Sequence, residues 1–398
     1  MKTETTDTVH TLACPALPKS VYVHVPFCRH RCGYCDFSLV AGRDDLVADY
    51  LAAIEREMTR LQPPDPESSP APVCLDLATL YLGGGTPSHL GPDGLKRLFD
   101  ILLARLRLPP GTEVTIEANP RDVTESLAAA AAACGTTRVS LGAQSLDTTT
   151  LAALDRDHAP DDVRRAVDIL LARGFAVSID LMTAAPGQTL ADVERDLEAA
   201  VALGPRHLSV YCLTWEKGTQ FESQRRRGTL ERADESLERA MLELSIDRLT
   251  AAGFDHYEVS NFARPGGRCR HNETYWDCRP WEAFGPGAAR FDGRTRITNH
   301  RSTTTWIRRV LAGEDFTGDR DAMTPLEAAQ ERVVLGLRRR DGLSRSAFLA
   351  ASGLDLDLVA GGPIRRWSER GLATDDGEHV RLTREGLLVS DALWADVL

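Results

Sequence analysis

No stretch of this 398-residue chain is apolar for long enough to cross a bilayer, and its most apolar run, Leu127 to Cys134, is a short alanine segment. A spanning helix needs about 20 such residues. The first twenty residues lack the apolar centre of a secretory signal and the arginine bias of an organelle address. A cytoplasmic protein with no membrane span is expected, with peripheral association left open. Positive charge is also scarce: 47 Lys+Arg stand against 58 Asp+Glu, a formal net charge of −11. That balance argues against nucleic acid as a partner. A pattern of paired cysteines is missing as well. There are nine, an odd number, and six of them (Cys14, Cys74, Cys134, Cys212, Cys269, Cys278) are scattered, so no disulfide framework is expected.

What remains is an ordinary globular composition, 42% hydrophobic and 26% charged. From Ser20 onward, short β-rich runs alternate with longer segments of helical period. The strands begin at Val21, Thr79, Glu113, Arg138, Ala176 and His207. Six β-α units in a row imply a parallel sheet. Such sheets bind ligands at the C-terminal ends of their strands, and polar or glycine-rich strings follow strand after strand here. The fold expected is α/β, a partial (β/α)6 TIM-type barrel. The proline-rich segment Gln62 to Pro72 reads as an extended excursion. Residues 1–20 form a leader, 21–255 the barrel, 256–320 an aromatic-rich connecting region, and 321–398 a winged-helix-like α+β domain. Residues 324–398 carry ten arginines and no lysine against twelve acids, which suits protein docking better than DNA binding.

Three cysteines fall within eight residues, Cys28, Cys32 and Cys35, straight after the first strand. Three thiolates can hold three corners of an iron–sulfur cube and leave one iron open. A zinc site completed by His24 or His30 is the competing reading of the spacing.

The string Tyr22-Val-His-Val-Pro-Phe-Cys28-Arg-His-Arg-Cys32-Gly-Tyr-Cys35-Asp-Phe37 resembles the cluster loop of radical S-adenosylmethionine (SAM) proteins, within the anaerobic coproporphyrinogen oxidase family. The resemblance continues through Gly83-Gly84-Gly85-Thr86-Pro87-Ser88, Glu117-Ala-Asn-Pro120, Ser140-Leu-Gly-Ala-Gln144-Ser145, Asp180, Pro186-Gly187-Gln188-Thr189, Tyr257 to Phe262 and His271-Asn272-x2-Tyr275-Trp276. It implies a [4Fe–4S] cluster on the three cysteines, with SAM chelating the open iron and an electron donor protein driving its cleavage to a radical. SAM contacts would come from Tyr22, Tyr34, Gly84, Gly85, Thr86, Glu117, Gln144, Arg156 and Asp180. Side-chain-free Gly84 and Gly85 could bring backbone N–H groups to the ligand; a tight turn is the plainer alternative.

Within that family the decarboxylating enzymes carry a further cysteine two positions after the third and a longer N-terminal extension. Here Phe37 stands at that position and about twenty residues precede the first strand. Both features, with the His-Asn-x2-Tyr-Trp element, are like the haem-chaperone branch. That branch implies haem as a ligand and a haem-acceptor protein as a partner. His271, Asn272, Tyr275 and Trp276 are the candidate haem residues, with Cys269 a second possible axial donor; an aromatic corner that ties down a loop is the alternative. Radical decarboxylation of coproporphyrinogen III, or a related radical SAM methyl transfer, are the other activities the family admits. Two stretches depart from its pattern: Met182-Thr-Ala-Ala185 before the Pro-Gly, and Ala289-Arg290 where histidine and serine are usual.

Overall fold

A computed structural model describes residues 17–61 and 74–398; most of the leader, including Cys14, and the 62–72 excursion lie outside the described residues. Six strands run parallel in consecutive order: β1 (Ser20–Val25), β2 (Thr79–Gly84), β3 (Glu113–Ala118), β4 (Arg138–Gln144), β5 (Ala176–Thr183) and β6 (His207–Cys212). A hairpin, β7 (Asp255–Glu258) and β8 (Asn261–Ala263), adds antiparallel to β6. At the opposite edge β9 (Glu282–Phe284) adds parallel to β1. The nine strands form one open sheet with no closure into a barrel.

Crossover helices α1 (Val47–Glu57), α2 (Gly91–Leu103), α3 (Glu125–Ala133), α4 (Pro160–Ala172) and α5 (Leu190–Ala202) cover the outer face, followed by the short α6 (Gln220–Arg226) and the long α7 (Glu235–Ala251). Their starts are set locally. Thr124 and Thr189 cap α3 and α5 through their hydroxyls, and Pro160 opens α4. Val21, Val23, Leu80, Leu82, Val114, Ile116, Val139, Leu141, Val177, Ile179, Leu208 and Val210 point outward into one core with these helices.

The opposite face alternates with them and is polar: Tyr81, Glu117, Arg138, Ser140, Asp180, His207, Ser209 and Tyr211 all reach one cavity. A parallel sheet covered on both faces reads as continuous apolar runs. One polar residue in two therefore marks a lumen.

Beneath the N-terminal ends of β2 and β3 lies α8 (Arg270–Trp276). A small antiparallel sheet, β10 (Ala289–Phe291), β11 (Thr295–Asn299) and β12 (Thr317–Ala322), precedes the C-terminal part. There α9 (Pro325–Leu337), α10 (Arg345–Ser352) and α11 (Leu356–Glu369) pack with a three-stranded sheet around Phe348 and Trp367, a core of their own. Arg338, directly after α9, donates 2.6 and 2.9 Å hydrogen bonds to the buried Glu258 and ties the two cores together.

Candidate functional site

The cysteine loop leaves the end of β1 and is folded by its own backbone. Phe27-Cys28 pairs with Val40-Ala41, and the Cys35 N–H donates to the Cys32 carbonyl at 3.1 Å. Arg31, exposed on the loop, gathers it by donating to the carbonyls of Cys35, Phe37 and Leu39. Phe221 at the start of α6 braces it from outside: its N–H donates to the Gly33 carbonyl at 2.9 Å, and its ring lies where a Gly33 Cβ would project.

All three thiols open on a cavity of about 460 Å³ at the C-terminal strand ends. Cys28 is hydrogen-bonded to the Thr86 hydroxyl at 3.2 Å, and Arg156 reaches Cys32 at 3.4 Å while holding the Gly142 carbonyl at 2.7 Å. Burial, partly offset by Thr86 and reinforced by the neighbouring thiols, pushes the Cys28 thiol up to about 12. Metal binding must therefore displace protons here. Among the described residues no three His, Cys, Asp or Glu groups converge on a single ion. The histidines of the zinc reading are engaged elsewhere: His24 between Tyr22 and the Ser38 carbonyl, His30 with Asp155. The donor set fits a cluster, whose cysteines bind different irons, and not a Cys3His zinc.

Of the nine expected SAM contacts, eight line this cavity: Tyr34, Gly84, Gly85, Thr86, Glu117, Gln144, Arg156 and Asp180. Tyr22 does not. It sits on β1 with its hydroxyl 3.0 Å from His24 and its ring beside Tyr81. The role expected of the glycines also changes. The Gly84 N–H donates to Glu117 at 3.0 Å and the Gly85 N–H to the Val25 carbonyl at 2.8 Å, so neither is free to face a ligand. Their smallness is what the fold uses. Gly84 has φ +109°, and a Cβ there would lie 2.5 Å from the His24 ring, while one on Gly85 would meet the 25–27 backbone.

Glu117 accepts from the Tyr81 hydroxyl at 2.8 Å as well as from Gly84. Burial, with Asp180 nearby, lifts its carboxyl to about 7 despite those bonds. Asp180 is raised by burial too and accepts from Ser140. Both carboxylates are thus strained groups that a cation would relieve. Gln144 ends β4 with φ +67°, at an irregularity in the β4–β5 pairing that turns it toward the cavity. A left-handed non-glycine at a strand end is a mark of functional positioning.

The candidate haem residues are placed differently. His271 is 1% exposed, with Nδ1 2.8 Å from the Thr79 hydroxyl and Nε2 2.8 Å from the Tyr275 hydroxyl, and its ring stacks on Tyr81. Burial lowers it to about 3, so it is neutral with both nitrogens engaged. Trp276 packs edge-on to Tyr257, and Cys269 is fully buried beside Glu113. Glu113 accepts from the Arg270 and His271 N–H groups and fixes the start of α8. Only Asn272 of the four lines the cavity, at its floor. In this geometry the element is the aromatic corner that closes the lumen from below. Neither Ala185 nor Ala289, the two departures, lines the cavity, although Met182 does.

Sequence reasoning passed over Tyr81, Arg138, His207, Ser209 and Tyr211, which also line it. The signal was available: each stands at the polar beat of a period-two strand.

Comparison with known proteins completes the picture. The haem chaperone HemW of Mycobacterium tuberculosis is 37% identical over 393 residues, 96% of each chain. The chain belongs to the HemW family. HemW of Bacillus subtilis is 33% identical over 96% of this chain and 99% of its own. The profile of the radical SAM superfamily matches residues 22–200, and that of the HemN C-terminal domain matches 323–389. The fold is that of HemN, the coproporphyrinogen III oxidase of Escherichia coli and a radical SAM enzyme: TM-score 0.82 at 21% identity, covering 96% of this chain and 90% of that one. HemW membership and the HemN-like fold thus bear out the family resemblance of the cysteine string.

Proposed function

We propose that this protein is a cytoplasmic haem chaperone that binds a [4Fe–4S] cluster with exchangeable SAM and passes haem to an acceptor protein. The observation that carries the first half is the convergence of Cys28, Cys32 and Cys35 with Glu117, Gln144, Arg156 and Asp180 on one cavity. Haem and its transfer are carried by membership of the HemW family, whose relatives bear the name haem chaperone.

When bound, the cluster supplies an electron to the sulfonium of SAM. The chain's own groups would do the rest. Arg156, next to Cys32, is placed for the methionine carboxylate. Glu117, ionised above about pH 7, would take the ammonium. Asp180, set two residues from the end of its lumen face, offers acceptors to ribose hydroxyls, and Tyr34 closes the side of the cavity next to the cysteines. Thr86, hydrogen-bonded to Cys28, stabilises that sulfur as a thiolate.

Anaerobic reconstitution followed by haem titration, an apo-acceptor transfer assay and a coproporphyrinogen III assay on one sample tests the reading. A stoichiometric haem spectrum with transfer and no vinyl products supports it. Vinyl products would make the protein a decarboxylase, and absence of stoichiometric haem would remove the chaperone.

A further inference from the structure

Arg138 opens β4 at the bottom of the lumen, 5% exposed, and it makes no hydrogen bond and no ion pair among the described residues. None of its nitrogens is among the buried polar atoms sealed off without a partner, so the guanidinium opens on the cavity it lines. A buried cation left in that condition is costly unless something anionic meets it. Glu113, Glu117 and Asp180 lie close enough to act on its charge, but none of them accepts a hydrogen bond from it. Glu117 is held by Tyr81 and Gly84, Asp180 by Ser140, and Glu113 by the N–H groups of α8. Thr115, its partner in register on β3, has a buried hydroxyl that is also unmet. Two unsatisfied polar groups therefore share one layer.

Arg138 is also distinct from Arg156. Arg156 clasps the Gly142 carbonyl near the cysteines, four residues further along β4, about 13 Å at ~3.3 Å per residue. The lumen presents two guanidinium groups at two depths, one at the mouth and one at the floor. A guanidinium matches a carboxylate with two parallel hydrogen bonds.

We propose that Arg138 is a carboxylate anchor at the floor of the cavity, a second anion site beneath the one that Arg156 serves. It takes the carboxylate arm of a ligand that reaches down the lumen, a propionate of a tetrapyrrole. The anchor rests on the cavity itself; only the choice of probes rests on the function proposed above.

The test compares wild type, Arg138→Lys and Arg138→Met, each cluster-loaded and kept anaerobic, with unchanged circular dichroism as the control for folding. Two probe pairs are titrated: haem against haem dimethyl ester, and coproporphyrinogen III against its tetramethyl ester. Wild type should prefer the free acid of one pair by roughly tenfold to a hundredfold, the size of a charged hydrogen-bonded contact. Arg138→Met should lose that preference while binding the ester as wild type does, and Arg138→Lys should keep part of it. The pair that responds identifies the source of the carboxylate. Should the methionine variant fail to fold, the wild-type preference and its reduction in the lysine variant carry the same test. An undiminished preference in the methionine variant overturns the anchor, as does a wild type indifferent to both pairs. Failure of wild type to bind either form of haem removes the chaperone reading alone and leaves the coproporphyrinogen pair to decide the anchor.

Discussion

At the mouth of the lumen, polar groups from five strands and the cysteine loop turn toward one volume, and several are held in states they would not choose: Glu117 is raised to about 7, and Gln144 is left-handed. At the floor, under the N-terminal ends of the same strands, α8 spends its polar groups on the protein itself. His271 uses both nitrogens on Thr79 and Tyr275, and Glu113 caps the helix. Both ends are polar, and both carry motifs that single out the family. What separates them is where the hydrogen bonds go. Arg138 is the exception, a floor residue with a mouth residue's unmet demand.

The sharpest way to break this contrast is at the cysteines. Replacing Cys28, Cys32 or Cys35 with alanine should abolish the brown cluster absorption after reconstitution, while Cys134→Ala should leave it; a full cluster in Cys32→Ala would undo the mouth as described. At the floor, His271→Ala should cost about 2–4 kcal/mol, since it removes a buried ring and strands two hydroxyl partners. A chemical denaturation series measures it, and a variant as stable as wild type would show that α8 is not held by this ring.

Gly84→Ala acts at the mouth, because its added methyl would press on the His24 ring in a left-handed backbone. We expect a loss of about 1–3 kcal/mol together with weaker SAM binding, as Glu117 moves with the Gly84 N–H. The smallest effect concerns pH. The folded Glu117 carboxyl titrates at about 7, above its ordinary 4.5, so the folded state holds the extra proton between those values and stability falls as pH rises through the window. Glu117→Gln should remove that fall, so its melting temperature gains on wild type from pH 5 to pH 8. A constant difference across that range would show that the carboxyl is not desolvated.

The alternation from β1 to α7 was legible in the amino-acid sequence because each unit advertises itself locally, through capping threonines, Pro160 and apolar beats. The cysteine loop was legible for the same reason. The addition of β9 was not: three residues, Glu282 to Phe284, join the edge of β1 some 260 positions earlier, and nothing in so short a string announces a parallel partner. The brace of Phe221 on Gly33 is long-range in the same way. At the floor the difficulty was different. His271-Asn272-x2-Tyr275-Trp276 has the residue types of a ligand site, and only the tertiary partners Thr79, Tyr81 and Glu113 reveal how those groups are spent. Arg138 was hidden inside an otherwise ordinary strand, although the polar beat it shares with Ser140 could have exposed it.

Electron paramagnetic resonance of the reduced, reconstituted protein, recorded with and without SAM, tests the central claim most directly. A [4Fe–4S]+ signal that shifts when SAM is added, and is absent from Cys32→Ala, is the predicted result. A protein that holds stoichiometric zinc and no cluster, or a cluster signal indifferent to SAM, would contradict it.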